Sequence, residues 1–143
     1  MRYGPVFLLC SDAERSQRVC RWILEWMEGN DTPFERMVFV CDDVDLVRKS
    51  LREPLLEGDP PALIVLDRAS CGGPAFAAEV SDCIPESWVV ELVEEHDCLP
   101  LRSSILALRS TSRRDEWEGF LQQVLEECLT PQWAQALGAD AGI

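Results

Sequence analysis

The sequence predicts an α/β domain built on an open, mainly parallel sheet with helices on both faces. Three observations carry that prediction. Short apolar runs without alternation recur: PVFLLC at 5–10, MVFVC at 37–41, ALIVL at 62–66 and SILAL at 104–108. Such runs suit strands buried on both faces, the habit of central parallel strands. Segments with apolar residues at helical spacing separate them, and alternating strand and helix is the signature of a parallel sheet with crossover helices.

In chain order, the run at 5–10 is the first strand. Ser11-x-x-Glu14 after it has the form of a capping box that opens a helix, and Asp12 is itself well suited to cap it. Val19, Trp22, Ile23, Trp26 and Met27 recur at helical spacing, and Gly29-Asn30 ends the pattern. The run at 37–41 enters the acidic pair Asp42-Asp43, with Asp43 placed to cap a helix carrying Val44, Val47, Leu51 and Leu55. Pro54 and the turn at 58–61 break that helix before the third strand, which ends on Asp67. Pro85-Glu86-Ser87 before Trp88, Val89, Leu92 and Val93 fits a helix entered through proline, closed by the charged EEHD cluster, although the same residues can also form a strand. The run at 104–108 is then the fourth strand, leading into Arg109-Ser110-Thr111-Ser112. Asp115 starts a helix with Trp117, Phe120, Leu121, Val124, Leu125 and Cys128 on one face. A fifth strand is hard to find: 127–131 is the sole candidate, and it reads more naturally as helix. The chain reads as one domain over 1–143, with a short helix and tail at 131–143.

With 143 residues, 47% hydrophobic and 27% charged, the chain has the size and mixture of an ordinary globular domain. A formal charge of −13 argues against nucleic acid and anionic membrane as partners and favours a basic protein surface. The apolar run at the start is too short for a signal peptide, and no stretch approaches 18 apolar residues. Seven cysteines, an odd number without any CxxC pair, predict a reduced cytoplasmic protein.

The carboxyl ends of the first and third strands come together in such a sheet, at the place where open α/β folds bind ligands. That gathers Asp12, Ser11 and Asp67, with the loop at 109–111 nearby. Two carboxylates and a loop carbonyl are a usual way to hold Mg²⁺, and a carboxylate beside Mg²⁺ can attack a phosphoryl donor.

The arrangement resembles the receiver domain of two-component response regulators, over most of the chain. Leu8-Leu9-Cys10-Ser11-Asp12 is similar to that family's first strand and acidic pair, with Ser11 in place of the first acid. Leu63-Ile64-Val65-Leu66-Asp67 is similar to its third strand ending in the phospho-accepting Asp, and 105–111 to its fourth strand and following hydroxyl. The resemblance implies a flavodoxin/CheY-like fold, Asp67 as phospho-acceptor, Asp12 and Asp67 as Mg²⁺ ligands, and Ser110 or Thr111 as switch hydroxyl. It also implies a sensor kinase as one partner, with at most self-phosphorylation from a donor as activity.

Three departures qualify that expectation. The only lysine is Lys49, so the lysine that family members carry after the fifth strand is missing. Arg109 stands where the hydroxyl is most directly expected. The interval from Asp67 to Ser110 is longer than the family's. The sequence therefore equally supports a pseudo-receiver, the same fold used for protein interaction without phosphorylation. A third reading is a small thiol-dependent α/β enzyme using Cys10, Cys41 or Cys71 at strand ends. His96 and Cys98, with Cys71 and Cys83, lack the paired spacings of a zinc site. No GxGxxG or GxxxxGK[ST] loop occurs.

Overall fold

A computed structural model describes residues 6–30, 37–52, 63–84 and 87–129. The chain forms two compact units, Met1–Ser112 and Arg113–Ile143. In the first, the elements run β1 (Val6–Leu9), α1 (Ala13–Gly29), β2 (Val38–Cys41), α2 (Val44–Arg52), β3 (Leu63–Asp67), α3 (Arg68–Cys71), α4 (Ala75–Cys83), β4 (Trp88–Val93) and β5 (Ile105–Arg109). The five strands form one sheet in the order β2-β1-β3-β4-β5, and every pairing is parallel. This is the flavodoxin-like order, whose switch point lies between β1 and β3.

β3 is the centre of the sheet, and all five of its residues are buried. One sheet face carries Leu9, Ile64, Leu66, Val89 and Ile105 against Phe76, Ala77, Val80 and Ile84 from α4 and its end, with Val44 and Val47 of α2 beside them. The alternate residues Val6, Leu8, Val65 and Val90 point to the opposite face, where α1 buries Val19, Ile23 and Met27. β2 is one of the two edge strands, and it leaves Phe39 and Val40 exposed, with Phe39 stacked on Phe7 at 5.2 Å. In the second unit the described part is α5 (Arg114–Leu129), along which Trp117, Leu121 and Val124 are the buried residues.

Two expectations are corrected. Residues 88–93 form a strand, not a helix. Trp88-Val89-Val90-Glu91-Leu92-Val93 is rich in β-branched residues, but Glu91 interrupts the apolar run and imitates a helical polar face. Glu91 is instead wholly buried, its charge met by Arg68 from the neighbouring strand end. The run at 104–108 is consequently the fifth strand rather than the fourth, which accounts for the long interval after Asp67. Residues 127–129 belong to α5, in keeping with the helical reading of that segment.

Of the two candidates for the cap of α1, the structure uses Asp12 and not Ser11. Asp12 is the N-cap, its Oδ1 accepting from the Arg15 amide at 3.0 Å, because the Ser11 amide and hydroxyl are taken by Ser70 Oγ, both at 2.9 Å. Asn30 closes the helix, donating from its side chain to the Trp26 carbonyl. Asp43 caps α2 as expected, its Oδ1 accepting from the Asp45 amide. Leu55, the turn at 58–61, Pro85-Glu86 and the helix and tail at 131–143 lie outside the described residues.

Candidate functional site

β1 and β3 run side by side with Leu9 opposite Leu66, so Cys10 and Asp67 emerge together at the carboxyl edge of the sheet. Asp67 is 3% exposed, a depth at which a carboxylate needs partners. It has three. Arg15 Nη1, one turn into α1, reaches Oδ1 at 3.0 Å. Ser70 Oγ donates to Oδ2 at 2.8 Å, and the Cys10 thiol approaches the same oxygen at 3.7 Å. Ser70 in turn accepts from the Ser11 amide, tying the end of β1 to the turn after β3.

Arg15 reaches Asp67 because the Asp12 cap fixes the first turn of α1 at this edge. The Arg15 amide, bonded to Asp12, holds that carboxyl below its ordinary value. A folded-state value lowered in this way contributes stability above the unfolded value near ~3.9 and loses it as pH falls through the folded value. The stability gap between wild type and Asp12→Ala, measured by urea unfolding, is therefore expected to be full at pH 7 and to shrink below about pH 4.

Asp12 and Asp67 are thus brought to one edge, as the sequence leads one to expect, but each is committed to another partner. The Arg15 guanidinium stands against Asp67 Oδ1, and the Asp12 carboxylate is used as a helix cap. The pair as placed does not fit Mg²⁺. Ser110 and Thr111 are not brought to Asp67. They follow β5, and β4 lies between, with Asp67 opposite Leu92 and Leu92 opposite Leu108. Two strand spacings, ~9.5 Å, exceed the reach of a hydroxyl. The residues that follow β4 are Glu94 and Glu95, and Arg109 at the end of β5 pairs with Glu95 at 2.8 Å.

Two of the candidate thiols, Cys10 at the end of β1 and Cys71 at the end of α3, are poorly suited to nucleophilic work. Burial pushes Cys71 up to about 12, with the Asp67 carboxylate adding to it. Burial likewise raises Cys10, again with Asp67 contributing. A thiol held protonated is a weak nucleophile.

Sequence reasoning missed Arg15 and the Arg68–Glu91 pair. Arg68 donates from Nε to Glu91 Oε2 at 2.8 Å and from Nη2 to Oε1 at 3.0 Å, and its Nη1 holds the Cys98 carbonyl. The only sequence signal for this pair is one acid inside an apolar run and one arginine directly after a strand. Beside the pair, between the ends of β3 and β4, lies a cavity of about 330 Å³.

The chain matches no family model and no curated protein. Among solved structures it is similar to a fragment from Peptoclostridium difficile 630 described as a "putative lipoprotein", at 16% identity and a TM-score of 0.59, over 91% of this chain and 100% of that one. At that identity the likeness shows the α/β fold alone. No helix among the described residues is long and apolar enough to cross a membrane.

Proposed function

We propose that this chain is a receiver-like signalling domain of the pseudo-receiver kind, a cytoplasmic module that regulates a basic partner protein by binding it without phosphoryl transfer. One observation carries the reading: the carboxylate that would accept the phosphoryl group is buried against Arg15 at 3.0 Å. In a receiver that works by phosphorylation, the cation at this position is a metal that can also bind the incoming phosphoryl oxygens. An arginine contributed by the fold neutralises the carboxylate permanently and leaves it less able to attack. The hydroxyl expected after the fourth strand is replaced by Glu94, and the expected lysine by Arg109, which Glu95 engages. All three departures point the same way. Cys10, Cys20, Cys41, Cys71, Cys83 and Cys98 are free, which suits a reducing compartment.

The phosphorylated alternative, fed by a sensor kinase with Mg²⁺, requires Arg15 to withdraw and Asp12 to leave its cap. Intact mass after incubation with acetyl phosphate and Mg²⁺ separates the two. Wild type is expected to remain unmodified under conditions that label a working receiver, and Asp67→Asn to retain partner binding. A single phosphoryl adduct on wild type, absent from Asp67→Asn, overturns the proposal. Arg15→Met is expected to cost roughly 2–3 kcal/mol in urea unfolding, less than a fully buried pair because Arg15 keeps one-fifth of its side chain exposed.

A further inference from the structure

We infer that the cavity at the carboxyl ends of β3 and β4 is a docking pocket for an arginine side chain of a basic partner protein. The inference rests on the reading of this chain as an interaction module and names the group that the module takes. The cavity, about 330 Å³, lies at the small end of the ~300–1,000 Å³ range of ligand clefts. That volume suits one long side chain better than a dinucleotide or flavin.

Its lining is divided by chemistry. Buried Leu92 contributes apolar surface to it, and Gly72, Gly73 and Pro74 also line it. Gly72 and Gly73 have φ of +76° and +139°, conformations that other residues adopt only with strain. They leave a stretch of bare backbone along which the methylenes of a long side chain can lie. Glu94 and Asp97 line the cavity on the side of the turn after β4, where Asp97 Oδ2 also accepts from the Glu94 amide at 2.9 Å.

The charge balance selects a cation. Arg68 also lines this cavity, but its guanidinium is engaged by Glu91 and the Cys98 carbonyl. Asp67, also in the lining, is engaged by Arg15, and His96 Nδ1 lies 3.7 Å from Glu94 Oε2, so the carboxylates of Glu94 and Asp97 give the lining its negative sign, in a chain whose formal charge is −13. A guanidinium is more weakly hydrated than an ammonium, is planar and can bond two carboxylates at once, so arginine is favoured over lysine.

The probe is the peptide acetyl-Gly-Arg-Gly-amide, titrated into the ¹⁵N-labelled full chain, with the Lys and Gln peptides alongside. Saturable shifts confined to the amides of Gly72, Gly73, Leu92, Glu94 and Asp97 are expected with Arg. Binding should be several-fold weaker with Lys and absent with Gln. Glu94→Gln with Asp97→Asn should weaken the Arg peptide about tenfold or more, and both changes keep an acceptor for the turn. Absence of saturable shifts at millimolar peptide overturns the inference. So do shifts spread evenly over the acidic surface, or binding unchanged in the double variant. An acetyl phosphate adduct at Asp67 together with pocket binding would end the phosphorylation-independent reading and leave the arginine pocket standing.

Discussion

Arg68→Met is expected to destabilise the fold by about 3–5 kcal/mol, because it strands the Glu91 carboxylate in the sheet interior. Glu91 has no exposed surface and Arg68 is 5% exposed, so water cannot replace the lost partner. The two side chains meet in a bidentate fork, and the Glu91 hydrogen bonds hold the Arg68 guanidinium above its already high ordinary value. The same guanidinium holds the Cys98 carbonyl, so its loss should also loosen the segment between β4 and β5. For a chain of this length the thermal midpoint should fall on the order of 10 °C. Urea unfolding followed by tryptophan fluorescence measures the change directly. The double variant Arg68→Met with Glu91→Met should recover most of the loss, since replacing both charges by apolar groups is often nearly neutral. A single variant within 1 kcal/mol of wild type, taken as roughly the worth of one ordinary hydrogen bond, would mean that the pair is not the anchor described here.

Leu66→Ala should cost about 3–4 kcal/mol, within the range of large-to-small changes in rigid cores. Leu66 is 1% exposed on the central strand and packs in the cluster with Phe76, Ala77 and Val80. Strands on either side hold β3 in register, which limits how far the site can collapse around the missing atoms. Leu66→Ile conserves volume and should cost less than ~1.5 kcal/mol. Because Leu66 directly precedes Asp67, amide exchange around Cys10 and Ser70 should also quicken in the alanine variant and not in the isoleucine one.

The strands that sequence patterning identifies are those whose every residue is apolar. Val6–Leu9, Val38–Cys41 and Leu63–Leu66 carry no internal charge, so their period is unambiguous, and Ile105–Leu108 is equally plain. The strand at 88–93 is hidden because its stabilising charge lies inside it. A buried acid reads as a solvent face until its partner is known, and Arg68 is 23 residues away. Read as a helix, that segment shifts the count of the strands after it and with it the placement of Ser110 and Thr111. The site shows the same division. Asp67 at a strand end is visible from local sequence, and so is the capping power of Asp12. That Arg15 would meet Asp67 across 52 residues depends on helix phase and sheet register together, and no local pattern encodes both.

The strand order has a kinetic consequence. No two neighbouring strands are joined by a hairpin, since Val89 pairs with Ile105, Leu63 with Trp88 and Val6 with Val38. The first strand also waits for the third, with Val6 opposite Leu63. Each closure must meet the entropy of a long loop before any contact rewards it. Acquisition of the sheet is therefore set by a slow, late search, in the manner of folds with high contact order. Until β3 arrives, the nascent chain must carry β1 and β2 as apolar segments without their central partner.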